Sequence, residues 1–201
     1  MPDKSKRQPD PKPPRSRRGA PVARREPEEL DTHWHLSRDD RETGITEVEF
    51  SLMRISAAYE RWIAECLDRV AGAPLGSAAS MVLHVIGLKD RPKTPAEIAR
   101  LLNRDDTANV LYSIRKLERA GLVERAAAPK RKLVAFRLTR RGRRVVADYA
   151  ALRAAVLLPR VPRLPDWDSQ LAGARDFIDA MRGIYDQAAL LLATHRDTRP
   201  E

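Results

Sequence analysis

Gly121 is the residue that most restricts what this chain can become. Before it, Val110, Leu111, Ile114 and Leu117 recur at helical spacing. Immediately after it, Leu122–Arg125 and Leu133–Leu138 read as short extended runs. A helix that stops at a glycine and gives way at once to two strands leaves few architectures open. Between the strands lie Ala126–Lys132, with Pro129 followed by Lys130, Arg131 and Lys132, so the strands form a hairpin with a basic tip.

The residues upstream complete the unit. Thr94-Pro95-Ala96-Glu97 supplies a hydroxyl for the N-cap, proline at the first helical position and a carboxylate at the third. The helix it opens, Pro95–Leu102, turns Ile98, Leu101 and Leu102 inward. Asn103–Asp106 then makes a tight turn, and either aspartate can cap the helix that runs to about Ala120. Two short helices, a tight turn and a hairpin make a winged helix-turn-helix, whose second helix enters the major groove of DNA while the hairpin touches its flank.

At 100° per residue, Val110, Leu111, Ile114 and Leu117 share the core side of that second helix, and Asn109, Tyr112, Ser113 and Lys116 fall within about 100° of one another on the opposite side. Amide, hydroxyl and ammonium groups there suit base edges and phosphates. Arg115 and Arg119 lie beside them as phosphate contacts. Arg125, Lys130, Arg131 and Lys132 are the candidates for the DNA flanks, and Thr94 opens a helix whose backbone N–H groups can meet a phosphate.

Charge is distributed in the same sense. The chain of 201 residues carries +10 overall, but residues 89–144 hold seventeen Lys/Arg against six acids, and residues 26–88 hold five against twelve. A segregated basic block is what a polyanion-binding surface requires. Residues 1–29, with seven prolines and almost no large apolar side chain, read as a disordered basic tail.

Around this unit the pattern is helical. Val48, Leu52, Ile55, Tyr59, Trp62, Cys66 and Val70 form one narrow stripe on a helix beginning near Thr46, with Glu49 completing a capping box and Gly72 as the stop. A stripe of that width suits a helix packed along a partner. Ser77 opens a helix to Leu88, Thr139 caps another to about Leu158, and the Pro159–Pro165 segment breaks it. A last helix spans about Asp168 to Thr194, with Leu171, Phe177, Ile178, Met181 and Ile184 on one side. The fold class is therefore mainly α with a small β-hairpin wing. The expected organisation is a tail at 1–29, an N-terminal segment and dimerisation helix at 30–75, a winged helix-turn-helix domain at 76–140, and C-terminal dimerisation helices at 141–195.

Thr94-Pro95-Ala96-Glu97-Ile98-Ala99, then Leu117-Glu118-Arg119-Ala120-Gly121-Leu122-Val123-Glu124-Arg125, then Leu138-Thr139-Arg140-Arg141-Gly142 together resemble the MarR family of transcription regulators. The likeness covers about residues 46–158, with weaker support to 194. It implies a homodimer built by the first and last helices, a recognition helix in each half-site of double-stranded DNA, and a wing arginine, here Arg131, in the minor groove. It also implies a small-molecule effector near the junction of the dimerisation and DNA-binding regions, for which Tyr59, Trp62 and His84 are the candidates. The family's wing usually carries Asp-x-Arg, whereas this chain reads Pro129-Lys130-Arg131-Lys132.

Other chemistries find less support. Cys66 lies on the apolar stripe without a basic neighbour and reads as a small apolar residue before a redox sensor. His33-Trp34-His35 has metal-compatible spacing but no accompanying ligand, so no metal or other cofactor is expected. There is no phosphate-cradling glycine loop or nucleophile elbow, so the chain does not read as an enzyme. No apolar run approaches the roughly 20 residues of a membrane helix, and a single cysteine fits a reducing cytoplasm. The competing reading is a winged helix that serves only as a protein-interaction module.

Overall fold

The computed structural model describes residues 35–127, 133–162 and 165–194. Its elements run α1 (Asp40–Ala71), α2 (Gly76–Gly87), α3 (Pro95–Leu101), α4 (Thr107–Arg119), β1 (Val123–Ala127), β2 (Val134–Leu138), α5 (Arg140–Val156) and α6 (Trp167–Thr194). This is the mainly helical chain with one small hairpin that the sequence implies. The basic tail and the wing tip, including Lys130, Arg131 and Lys132, lie outside the described residues, as do His33 and Trp34.

The chain divides into two compact units at Ile55/Ser56, within α1. In the first unit α1 begins earlier than expected. Its capping box is Asp39 with Glu42, not Thr46 with Glu49: Glu42 N–H donates to Asp39 Oδ1 at 2.8 Å and Arg38 N–H to Glu42 Oε2 at 2.7 Å. Thr46 is already inside the helix, its hydroxyl donating to the Glu42 carbonyl at 2.9 Å.

The second unit holds one apolar core. Leu67 of α1, Leu83 and Ile86 of α2, Ile98 of α3, Ile114 and Leu117 of α4, Leu122, and Phe136 and Leu138 of β2 close around it. On α1 the buried apolar residues are Ile63, Cys66, Leu67 and Ala71, whereas Ile55 and Tyr59 of the expected stripe are exposed. The α2 start is also different from expectation. Ser77 does not cap it; the carboxylate of Asp68, reaching from α1, accepts from the N–H groups of Leu75 and Gly76 at 2.7 and 2.8 Å.

The segment joining α4 to the hairpin explains the Gly121 signal. Gly121 adopts φ +68, a conformation that a Cβ disfavours, and Leu122 N–H returns to the Leu117 carbonyl at 2.9 Å. The chain then enters β1, which pairs antiparallel with β2 from Val123 opposite Leu138 to Ala127 opposite Val134. Thr139 caps α5, its hydroxyl accepting from Gly142 N–H at 2.9 Å. A third extended piece, unforeseen in the sequence, joins the hairpin: Lys93 and Phe136 exchange both backbone hydrogen bonds, at 3.0 and 2.9 Å.

Candidate nucleic-acid interface

The helix-turn-helix geometry begins with its caps. Thr94 Oγ1 accepts from Glu97 N–H at 3.3 Å, so its hydroxyl serves α3. Glu97 in turn pairs with Arg91, whose hydrogen bond holds the carboxyl below the usual carboxylate range. Asn103 makes the turn with φ +52, in the left-handed region that asparagine tolerates better than most residues. Asp106 then caps α4 through Ala108 N–H and Asn109 N–H, at 2.9 and 3.1 Å. Its other oxygen takes the Asn109 side-chain amide, which orients that amide at the exposed tip of the helix. Nothing in the structure explains the carboxylate of Asp105.

The face that α4 presents differs from the one the helical wheel suggested. Ser113 is 3 % exposed and belongs to the core with Val110, Ile114 and Leu117. Lys116 is also withdrawn, its ammonium donating to the Leu75 carbonyl at 2.8 Å. The exposed side chains are Thr107, Ala108, Asn109, Tyr112, Arg115 and Arg119. Ala108, Tyr112, Arg115 and Arg119 follow 4-3-4 spacing, so the outward face is turned by about 80° from the expected one. The physical reason is Ser113: a small hydroxyl fits against the core where a larger polar residue would not.

Tyr112 and Asn109 thus offer a phenol and an oriented amide, and Arg115 and Arg119 two guanidinium groups, on a stripe without a carboxylate. Beside it, Arg125 of β1 sits 3.6 Å from Glu118 with its side chain 73 % exposed. An exposed pair of this kind contributes at most about 1 kcal/mol and yields readily to a phosphate.

The effector candidates separate in the structure. A cleft of about 640 Å³ opens between α1 and α5, lined by Trp62, Glu65, Cys66, Asp68 and Arg69 on one side and Leu152 and Val156 on the other. Trp62 lines it; Tyr59 is exposed, and His84 packs edge-on against Tyr149 with ring centroids 4.4 Å apart. Burial, with Cys66 and Tyr59 nearby, pushes the Tyr149 phenol up to about 12. Burial, with Glu65 adding to it, raises the Cys66 thiol as well, so the thiol rather than the reactive thiolate is favoured.

Burial lowers the pKa of His84 from its ordinary 6.5. Below that pH the unfolded chain binds a proton that the folded chain resists, so stability is lost as pH falls. Denaturant midpoints at pH 7.5 and 5.0 should therefore differ more for the native chain than for His84→Phe. An equal pH response in both would remove His84 as the cause.

Comparison with known proteins agrees with this geometry. Residues 75–142 match the family model described as a winged helix DNA-binding domain. Among curated proteins none matches the chain. Solved structures do. The M. tuberculosis transcriptional regulator MOSR in complex with DNA is 18 % identical, with 67 % of this chain and 96 % of that one covered at a TM-score of 0.51. CouR from Rhodococcus jostii RHA1, bound to p-coumaroyl-CoA, is 20 % identical over 67 % and 90 % at 0.56. A MarR/EmrR family transcriptional regulator from Acinetobacter sp. ADP1 is 16 % identical over 71 % and 96 % at 0.56. Residues 75–142 thus match a winged helix DNA-binding domain, in a chain whose fold is similar to that of solved MarR-family transcription regulators.

Proposed function

We propose that the protein is a sequence-specific, double-stranded DNA-binding regulator that works as a homodimer on a near-palindromic operator and releases it in response to a small molecule. The observation that carries the DNA-binding part is the exposed stripe of α4, where Asn109, Tyr112, Arg115 and Arg119 stand together at the surface of a helix-turn-helix. The dimer reading rests on apolar side chains that a lone chain leaves in water. On α6, Leu171, Phe177, Ile178 and Ile184 are each at least half exposed, and on α1 Met53 and Ile55 are more so. Residues 76–140 would then bind DNA, with 30–75 and 141–195 forming the dimer. Two recognition helices related by a two-fold axis would meet half-sites about 10 base pairs apart. The α1–α5 cleft is the effector site in this reading, with Trp62 as its aromatic wall and Arg69 as its cation. CouR, with p-coumaroyl-CoA bound, is the comparison that supports a ligand-responsive repressor. Such a regulator belongs in the cytoplasm, beside the DNA it binds.

The test is binding across a salt series, comparing DNA from upstream of the protein's own gene with unrelated DNA of equal length. A preference for the upstream fragment that survives near 150 mM salt is expected. Equal, salt-labile binding to both fragments would overturn sequence-specific recognition in favour of a protein-interaction module. Arg115→Ala should reduce the slope of log K against log salt by about one unit, and Tyr112→Ala should reduce discrimination between the fragments. Size-exclusion chromatography with light scattering should give twice the chain mass of 22.7 kDa; a monomer at micromolar concentration would exclude the dimer.

A further inference from the structure

Four side-chain hydrogen bonds gather where α1 ends, and they make two bridges between that helix and α4. Asp68 accepts from Leu75 N–H at 2.7 Å, while the carbonyl of the same residue accepts from Lys116 Nζ at 2.8 Å. Leu75 is thus held between a carboxylate from α1 and an ammonium from α4, each on the backbone group of matching polarity. Hydrogen bonds to ionised groups are roughly twice as strong as neutral ones. Arg141, in the first turn of α5, makes the second bridge. Its Nη1 donates to the Ala120 carbonyl at 2.7 Å and its Nη2 to the Ala71 carbonyl at 3.3 Å. One guanidinium therefore holds the C-terminal carbonyls of both α1 and α4, where the helix dipoles favour a cation.

We infer that Asp68, Lys116 and Arg141 form a polar clamp that fixes the angle between α1 and the recognition helix, and so sets the half-site spacing the dimer accepts. One tether would allow α4 to pivot; two, on different atoms, hold an orientation. Both grip the C-terminal end of α4, about 18 Å along the helix from its exposed tip at Ala108. A tilt of 10° moves that tip by about 3 Å, nearly one base step along a DNA strand. The clamp is therefore a specificity device although none of its three side chains needs to touch DNA. Lys116, which reads in the sequence as a DNA contact, is a positioning residue. Asp68 also lines the α1–α5 cleft, which puts one end of the clamp within reach of whatever occupies that cleft.

This inference rests on the dimeric DNA-binding reading above, and its test separates the two. Full-length protein is titrated onto DNAs carrying two half-sites whose separation is varied one base pair at a time, each at several salt concentrations. The native chain should prefer one spacing. Lys116→Met and Arg141→Met should reduce that preference about tenfold, within the ordinary range of energetic coupling, and Lys116→Met should leave the salt slope unchanged. Asp68→Asn, which keeps the accepting oxygen, should behave as the native chain, and Asp68→Ala should not. A salt slope lower by about one unit for Lys116→Met with spacing preference intact would make Lys116 a phosphate contact and overturn the clamp. Equal loss of affinity at every spacing would overturn it as well, by reducing the three residues to general supports of the fold. A second readout needs no DNA: spin labels at Glu60→Cys and Ala108→Cys, in a Cys66→Ser background diluted with unlabelled chain. Their distance distribution should be narrow with the clamp intact and broader in Lys116→Met. An unchanged distribution would overturn the clamp even if the native chain showed no operator preference, the result that would refute the proposed function instead.

Discussion

Gly142→Ala is expected to lower stability by about 3 kcal/mol or more, enough to unfold a marginal chain. The size of the effect follows from what a new methyl group would meet. A Cβ at Gly142 would stand 2.0 Å from the Leu122 carbonyl oxygen and 3.0 Å from its carbon. Those are backbone atoms of a fully buried residue, fixed further by Thr139, whose N–H donates to the same carbonyl at 3.0 Å. No flexible side chain can swing away. The sign is informative, because alanine is intrinsically the better helix former by about 1 kcal/mol. Gly44→Ala in α1, where a Cβ meets nothing within 4 Å, should accordingly be neutral or stabilising. Thermal and denaturant unfolding of the two variants, followed by circular dichroism, makes the comparison. Equal behaviour would mean that α5 does not approach Leu122 as closely as described.

Lys93→Met should cost about 2–4 kcal/mol. Lys93 is 1 % exposed, and its ammonium donates to the carbonyls of Ile86, Leu88 and Arg91. It works as an internal cap for the end of α2 and for the loop that follows. That loop includes Lys89 and Asp90 at φ 58 and 42, a conformation costing roughly 1–2 kcal/mol for each residue with a Cβ. Methionine preserves most of the volume but leaves inward-facing carbonyls without their donor. The consequence should reach the wing, because the backbone of Lys93 pairs with Phe136 of β2. Hydrogen exchange should therefore quicken at Lys93 and Phe136 together; a drop in stability with Phe136 still protected would confine the role to the loop.

The signals that could be read from the sequence were those decided within a few residues. Thr94 before Pro95, Thr139 before Arg140, and Gly121 between helix and strand each act on their own turn of chain, and each stands where expected. The start of α1 was less legible, since the sequence pointed to Thr46 with Glu49 and the structure uses Asp39 with Glu42. Asp39 with Glu42 and Thr46 with Glu49 have the same spacing, and the first apolar residues favoured the later one. The face of α4 was misjudged for a different reason. Nothing near Ser113 announces that it is buried, and the partner of Lys116 is Leu75, forty-one residues earlier. Arg141 reaches Ala71 across seventy. Polar side chains used inside a fold look like surface residues until their distant acceptors are known.

That internal use of cations bears on how such a protein would search a genome. By formal charge, the basic block at 89–144 offers a strong, indiscriminate grip on any polyanion. Yet Lys93, Lys116, Arg141 and Arg143 hold backbone carbonyls. Fewer phosphates are then neutralised at a random site than the formal charge suggests, and fewer counterions are released there. For a sequence-specific binder, each non-cognate encounter would then be brief. A regulator with this distribution would give up some grip on arbitrary sequence and gain faster turnover between sites, so that dwell time is concentrated where α4 finds a matching groove.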